Sequence, residues 1–276
     1  MKKENCIFKQ IYLFNQIICD SIFIELIENL YKNVIFSTFP YQLYNQENSI
    51  VSLHNFSSGN CITFCYFIKK YLQQNYNIKS YIIGASVPSI FKLKGTPNMC
   101  HCSILIPKST YEFYILDGAL YFLQPMYCNL KENTKRYIFS SNASKHQKRK
   151  INYHIKSCNK KIIDSHFQQI IPNKSLSVSC YYEDIPLDTW DYYLCEIENP
   201  DYNIGYSYLK HKKYPFLLFT FYEDGIVKLK YKIEIKNNNL EITTYPDQQI
   251  VYNDQIEKLS KFNKDIPREL HKYFIY

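Results

Sequence analysis

Hydrophobic positions recur at two different periods along this chain, and the switch between them outlines its elements. Ile22, Leu26 and Leu30 stand four residues apart, with Phe23 and Ile27 beside them, which predicts a helix over residues 20–31. A Pro-containing, Tyr-rich connector follows, FSTFPYQLYNQENS. Cys61, Phe64, Cys65, Ile68 and Leu72 then share a second helical face, and Ser57, Ser58, Gly59 and Asn60 form the turn in front of it. Cys61 therefore stands at a helix N-terminus.

Beyond this helix the period shortens. KSYIIGAS, CHCSILI and YEFYILD read as strands, the last two separated by PKST, a polar link suited to a hairpin. Residues 131–161 are basic and polar, least hydrophobic at SSNASKHQKRK, and read as a long loop or strand connection. The strand-like SLSVSCYYE comes next, then a segment around Trp190 read as a helix, and DYNIGYSYL. The strands PFLLFTFY, GIVKLKYKIEI and NLEITTY follow, with turns at 223–225 and 236–239. IEKLSKF and PRELHKYF suggest a terminal helical region. There is no internal repeat. Helices first, strands in the middle and a mixed tail make an α+β chain.

Composition narrows the picture. With 46% hydrophobic and 17% aromatic residues in a chain of 276, there is enough apolar surface for a core, which excludes wholesale disorder. Tyr (28), Phe (18) and only six Gly, beside abundant Asn, Ile and Lys, fit an AT-rich coding bias, so the tyrosines alone say little about function. A formal charge of +8 favours acidic ligands without naming one. The apolar residues 11–27 are interrupted by Asn15, Gln16, Asp20 and Glu25, and no small-residue cleavage site follows. They fit neither a membrane span nor a secretory signal. A cytoplasmic, reducing setting is expected, where each of the ten Cys is a buried hydrophobe, a metal ligand or a catalyst.

Three residues combine into chemistry. A helix N-terminus lowers a thiol pKa through its dipole and free amides, and Cys61 sits there. An imidazole beside it can take and return the thiol proton, and a carboxylate on the other ring nitrogen orients the ring. His101 begins the run SILI and Asp117 ends YEFYIL, so an antiparallel hairpin brings the two together. Only the packing of the Cys61 helix on that hairpin is assumed. Taken singly, each has an ordinary structural role: Cys61 a core thiol, His101 a core or edge histidine, Asp117 a turn residue before Gly118.

Zinc is disfavoured. Cys61 and Cys65 share a helix face, but strand alternation puts Cys100 and Cys102 on one side and His101 on the other, so both cysteines are expected to pack away from the histidine. The basic residues Lys145, Lys148, Arg149, Lys150, Lys156, Lys160 and Lys161 carry no nucleic-acid motif and read as a solvated loop, so no nucleic-acid partner is expected.

The order Cys61, His101, Asp117, with about forty and then sixteen residues between successive members, resembles the arylamine N-acetyltransferases, within the transglutaminase-like and papain-like cysteine enzymes. TFPYQL resembles that family's Pro-Phe-Glu-Asn-Leu segment, and EIENPDYNIGYSYLKHKKYPFLLFTF its acidic and Asn-Tyr stretch before a strand. Ser57-Ser58-Gly59-Asn60-Cys61 stands where the family has Arg-Gly-Gly-x-Cys, and Thr63 where it has an acidic or amide residue. Gly118-Ala119-Leu120-Tyr121 replaces a Gly-Phe-Gly run that helps hold a pyrophosphate. The resemblance implies a helical subdomain bearing the nucleophile (1–90), a β-barrel-like subdomain bearing His101 and Asp117 (91–200) and an α/β lid (201–276). It also implies ping-pong transfer of an acetyl group from acetyl-coenzyme A to a small amine through a Cys61 thioester, without a metal. An amide-cleaving thiol hydrolase with the same triad, or a binding protein that has lost catalysis, are the alternatives.

Overall fold

The computed structural model describes residues 18–92, 98–132, 134–141, 148–158, 168–182, 184–204, 214–223, 226–236, 239–245 and 250–251. Helix α1 (Asp20–Asn33) buries Ile22, Phe23, Leu26, Ile27, Leu30 and Tyr31, the face its spacing predicts. The connector is more ordered than its composition suggests. It holds strand β1 (Ile35–Ser37) and the short helix α2 (Phe39–Leu43), with α3 (Ser49–Phe56) directly after. Proline suits the first turn of α2, where its missing N–H has no helical partner. The pairing of β1 with a strand near the other end of the chain has no local signature. After β2 (Ser58–Gly59) comes α4 (Cys61–Tyr76), which buries Cys61, Ile62, Thr63, Phe64, Cys65, Ile68 and Leu72.

The next strands are β3 (Tyr81–Ala85), β4 (His101–Pro107), β5 (Glu112–Leu116), β6 (Met126–Asn129), β7 (Arg136–Ser141), β8 (Lys148–Ser157), β9 (Gln168–Gln169), β10 (Lys174–Tyr182) and β11 (Ile185–Glu196). They form one antiparallel sheet in the order β6-β5-β4-β3-β11-β10-β8-β7, with β9 on β11. The sheet curls until it nearly closes: the Tyr153 hydroxyl on β8 donates to the Tyr127 carbonyl on β6 at 3.1 Å. Helix α4 packs against β4 on one side, where Cys102, Ile104 and Ile106 join Leu26, Leu30, Phe64 and Ile68 in one core. Tyr81, Ile83, Leu105, Phe113, Ile115, Trp190 and Tyr192 fill a second core on the other.

Two readings change. The Trp190 segment is strand β11, not a helix. Trp190, Tyr192 and Leu194 are buried at every second position, and aromatic residues suit a pleated surface. The basic stretch is not one loop either, because β7 and β8 pair antiparallel from Arg136↔Tyr153 to Ser141↔Lys148. Lys148, Arg149, Lys150 and Lys156 thus lie on a strand, whereas Lys145, Lys160 and Lys161 lie outside the described residues.

After α5 (Pro200–Asn203), strands β12 (Phe216–Glu223), β13 (Ile226–Lys236), β14 (Asn239–Tyr245) and β15 (Ile250–Val251) make a second sheet, ordered β15-β14-β13-β12-β1-β2. The N-terminal strands β1 and β2 complete this C-terminal sheet. The suggested terminal helical region lies outside the described residues. Among the described residues, no helix is long and apolar enough to cross a membrane.

Candidate active site

The turn that carries Cys61 is built from small polar parts. The Asn60 side chain accepts hydrogen bonds from the amides of Ile62 (2.9 Å) and Thr63 (3.2 Å), capping α4 and starting it at Cys61. The Tyr41 hydroxyl holds the turn from behind: it accepts from the Asn60 amide at 3.1 Å and shares hydrogen bonds with Ser49 and Thr63. Burial pushes the Tyr41 phenol up to about 12, so it stays a neutral hydroxyl. Asp201 anchors the far side, accepting from the Ser49 hydroxyl at 2.5 Å and the Ser49 amide at 3.1 Å. Gly59 leaves no room for a side chain, because a Cβ there would stand 2.1 Å from Thr63 Oγ1. Ser58 and Thr63, two of the positions at odds with the family pattern, are buried around this turn with Asn60.

His101 and Asp117 meet through the β4–β5 hairpin. Ile104 pairs with Leu116, so one further step sets Asp117 beside Ser103, on the same side of the sheet as His101. His101 Nε2 lies 2.6 Å from Asp117 Oδ2, with both residues buried. Such a short contact is a charge-assisted hydrogen bond. It leaves Nδ1 as the ring nitrogen for Cys61.

Tyr192 was not among the residues expected here. Its hydroxyl donates to Asp117 Oδ2 at 2.7 Å, while Oδ1 accepts the Leu120 amide at 3.0 Å. Sheet register explains its arrival: Tyr192 pairs with Ala85, and Ala85 pairs with His101, so the three lie in a row across β11, β3 and β4. Reading this segment as a helix hid the tyrosine. Its alternation with Trp190 and Leu194 was the available signal.

Cys102 takes the face that strand alternation gives it. Strand alternation does turn it away from the side His101 takes, but that is the side on which α4 packs. The Cys102 sulfur lies 3.6 Å from the Cys65 sulfur. Cys100, unlike Cys102, is not part of the helix-side core.

The electrostatics follow from these contacts. The Cys61 thiol is held down to about 5 by the hydrogen bond from the Cys102 thiol, and the charge and hydrogen bond of His101 add to this against the opposing effect of burial. Burial also works to lower the His101 pKa, but the charges of Asp117 and Cys61, with their hydrogen bonds, hold it well above the usual imidazole range. At neutral pH the pair is therefore thiolate and imidazolium. Burial pushes Cys65 and Cys102 upward, leaving both as neutral thiols. Among the described residues, no three His, Cys, Asp or Glu side chains are arranged to hold a metal ion.

The loop after Asp117 turns its amides inward. Leu120 N–H bonds to Asp117 Oδ1, Tyr121 N–H to the Gly118 carbonyl and Phe122 N–H to the Asp117 carbonyl. Gly118 lies against α1, where a Cβ would stand 2.4 Å from Leu30, and its carbonyl accepts from the Tyr31 hydroxyl at 2.8 Å.

No protein-family model matches the chain, and no curated protein matches it by sequence. Solved structures do match. An arylamine N-acetyltransferase from Bacillus cereus, described as having a Cys-His-Glu catalytic triad, superposes with a TM-score of 0.55 at 13% identity, covering 94% of this chain and 96% of that one. Arylamine N-acetyltransferase C from Bacillus anthracis gives 0.54 at 13% identity, over 97% and 95%. The M. tuberculosis enzyme gives 0.54 at 8% identity, over 98% and 94%. Over nearly its whole length, then, this chain has the fold of the arylamine N-acetyltransferases.

Proposed function

We propose that the protein is a cysteine acyltransferase in which Cys61 is the nucleophile, His101 the proton shuttle and Asp117 the residue that orients His101. This reading is supported by the buried His101–Asp117 pair, 2.6 Å apart, and by Cys61 buried at the start of α4 with its thiol held down to about 5. A structural thiol has no need of such a neighbourhood.

The Cys61 thiolate attacks the carbonyl carbon of an acyl thioester, with acetyl-coenzyme A as the donor. The thioester bond breaks, and the departing thiolate takes a proton from the His101 imidazolium, leaving acetyl-Cys61 and neutral His101. A small amine then attacks the acetyl carbon, His101 removes its proton, and the Cys61 thiolate departs. Thiolate and imidazolium are restored, and the kinetics are ping-pong.

A thiol hydrolase acting on amides is the second reading. It is favoured by the inward-turned amides of residues 120–122, which offer no cradle to a pyrophosphate.

One experiment separates the two. The protein is incubated with acetyl-coenzyme A labelled in the acetyl group, quenched, and mapped, with Cys61→Ala as the control. Label on Cys61 that a small arylamine discharges is the expected result. An unlabelled Cys61 that still reacts rapidly with iodoacetamide would turn the assignment to the hydrolase.

A further inference from the structure

Beside its buried stripe, helix α4 carries Tyr66, Lys69, Lys70 and Gln73 at three- and four-residue spacing, so these four share a second face. That face lines a cavity of about 620 Å³, whose other wall is Lys79, Ser80, Tyr81 and Glu196. The end of the helix shapes it. Asn77 takes the left-handed backbone conformation (φ 54°), its amide returns to the Gln73 carbonyl at 3.1 Å, and the Ile78 amide returns to the Leu72 carbonyl at 3.0 Å. This turn sets Lys79 and Ser80 against α4. It also gives donors to two carbonyls at the negative end of the helix.

The lining is positively charged. Lys69 stands 3.9 Å from Glu196, a long ion pair, and Lys79 lies over the Tyr81 ring at 5.2 Å. Lys70 has no carboxylate at ion-pairing distance among the described residues. Three lysines against one glutamate leave an excess of two positive charges. Ser80 adds a second, independent sign of a ligand. It is 3% exposed, and its hydroxyl has no hydrogen-bond partner. Buried hydroxyls are nearly always paired, and one side-chain rotation lets a serine donate to whatever fills the space beside it.

We propose that this cavity binds a small phosphorylated ligand of mononucleotide size. Lys70, Lys79 and the Ser80 hydroxyl hold its phosphate, and its ring lies against Tyr66 and Tyr81. A phosphate monoester carries about two negative charges at neutral pH, which matches the excess in the lining. Glu196 accepts from hydroxyl or amino groups on the ligand. The volume falls within the roughly 300–1,000 Å³ of small-molecule sites. Gln73 lies twelve residues beyond Cys61, about 18 Å along the helix, so the site is separate from the acyl-transfer centre and needs nothing from it.

The test is isothermal titration calorimetry of the full chain with the four ribonucleoside 5′-monophosphates, and with the bare nucleosides and inorganic phosphate. At least one monophosphate should bind one to one with Kd below about 1 mM. Its nucleoside and inorganic phosphate should each bind about tenfold more weakly or worse, since each lacks half of the contacts. Lys70→Ala with Lys79→Ala should weaken the monophosphate by about tenfold or more. Ser80→Ala should weaken it severalfold without lowering the melting temperature of the ligand-free protein, because the deleted hydroxyl has no partner to lose. Cys61→Ala, or an excess of coenzyme A, should leave binding unchanged. If the double lysine variant does not fold, Ser80→Ala still decides.

No binding by any of the four at millimolar concentration would overturn the proposal. So would binding that the lysine or Ser80 variants retain in full, that coenzyme A displaces, or that inorganic phosphate equals. Each of those results leaves the proposed function standing, because acetyl labelling of Cys61 is measured without the nucleotide.

Discussion

The first and second turns of α4 each present a buried cysteine to the same strand, and the two thiols are pushed in opposite directions. Cys61 is held down to about 5, whereas burial pushes Cys65 up. Helix, partner strand and near-complete burial are common to both. Cys102 lowers both thiols through hydrogen bonding, but for Cys61 this is the largest effect and the charge and hydrogen bond of His101 add to it. Cys65 lies a turn further into the apolar core, where the charges of Cys61 and Asp117 also oppose its ionisation. Burial penalises both thiolates, and only the first turn has donors strong enough to reverse it. Thiol reactivity in this fold is thus set within a single helical turn.

The contrast is easiest to break at Cys61 itself. Cys61→Ala should abolish both acetyl labelling and the fast phase of iodoacetamide alkylation, whereas Cys65→Ala should keep that fast phase. Loss of the fast phase in Cys65→Ala alone would show that the two thiols had been assigned the wrong way round.

Asp117→Asn comes next. It removes the carboxylate that raises His101, so the imidazolium is lost near neutral pH and the Cys61 thiol rises in turn. Acyl transfer should fall by about 10²–10⁴, the usual share of a positioned acid–base group. The rate of iodoacetamide alkylation at neutral pH should fall with it.

The pH profile sharpens the difference between the turns. Alkylation of Cys61 should climb as pH rises through about 5, because the thiolate forms there, and should be level near neutrality. Alkylation of Cys65 should stay low throughout that range. Peptide-resolved alkylation rates read both sites in one sample.

The smallest expected effect is at Tyr192→Phe, which deletes one donor to a buried carboxylate. A hydrogen bond to a charged group is worth about 1.5–3 kcal/mol, so acyl transfer should drop by roughly tenfold or somewhat more. Cys61 alkylation should hardly change, since the thiol keeps both Cys102 and His101. An equal loss in both measurements would mean that Tyr192 sustains the fold rather than the orientation of Asp117.

Much of this arrangement was legible before any coordinates. The four-residue spacing of Ile22, Leu26 and Leu30 and the Gly59-Asn60-Cys61 turn locate two helices and place Cys61 at the start of the second, because helix periodicity and capping are local. The hairpin joining His101 and Asp117 was equally readable, since a short polar link leaves two apolar runs one simple way to pair. Residues whose partners are distant in sequence were hidden. Strand β1 finds β12 across most of the chain, and strand β11 takes β3, about a hundred residues away, as the neighbour on one of its sides.

From the sequence alone came the α+β order, the capped helix beginning at Cys61 and the His101–Asp117 hairpin, because each depends on neighbours a few residues away. Only the tertiary structure decided that α4 lies on the Cys102 face of β4, and that β11 stands two strands from β4 so that Tyr192 reaches Asp117. Those two placements set the charge on Cys61 and the partners of Asp117. They depend on how faces pack and strands register across the sheet, and no local pattern of residues encodes that.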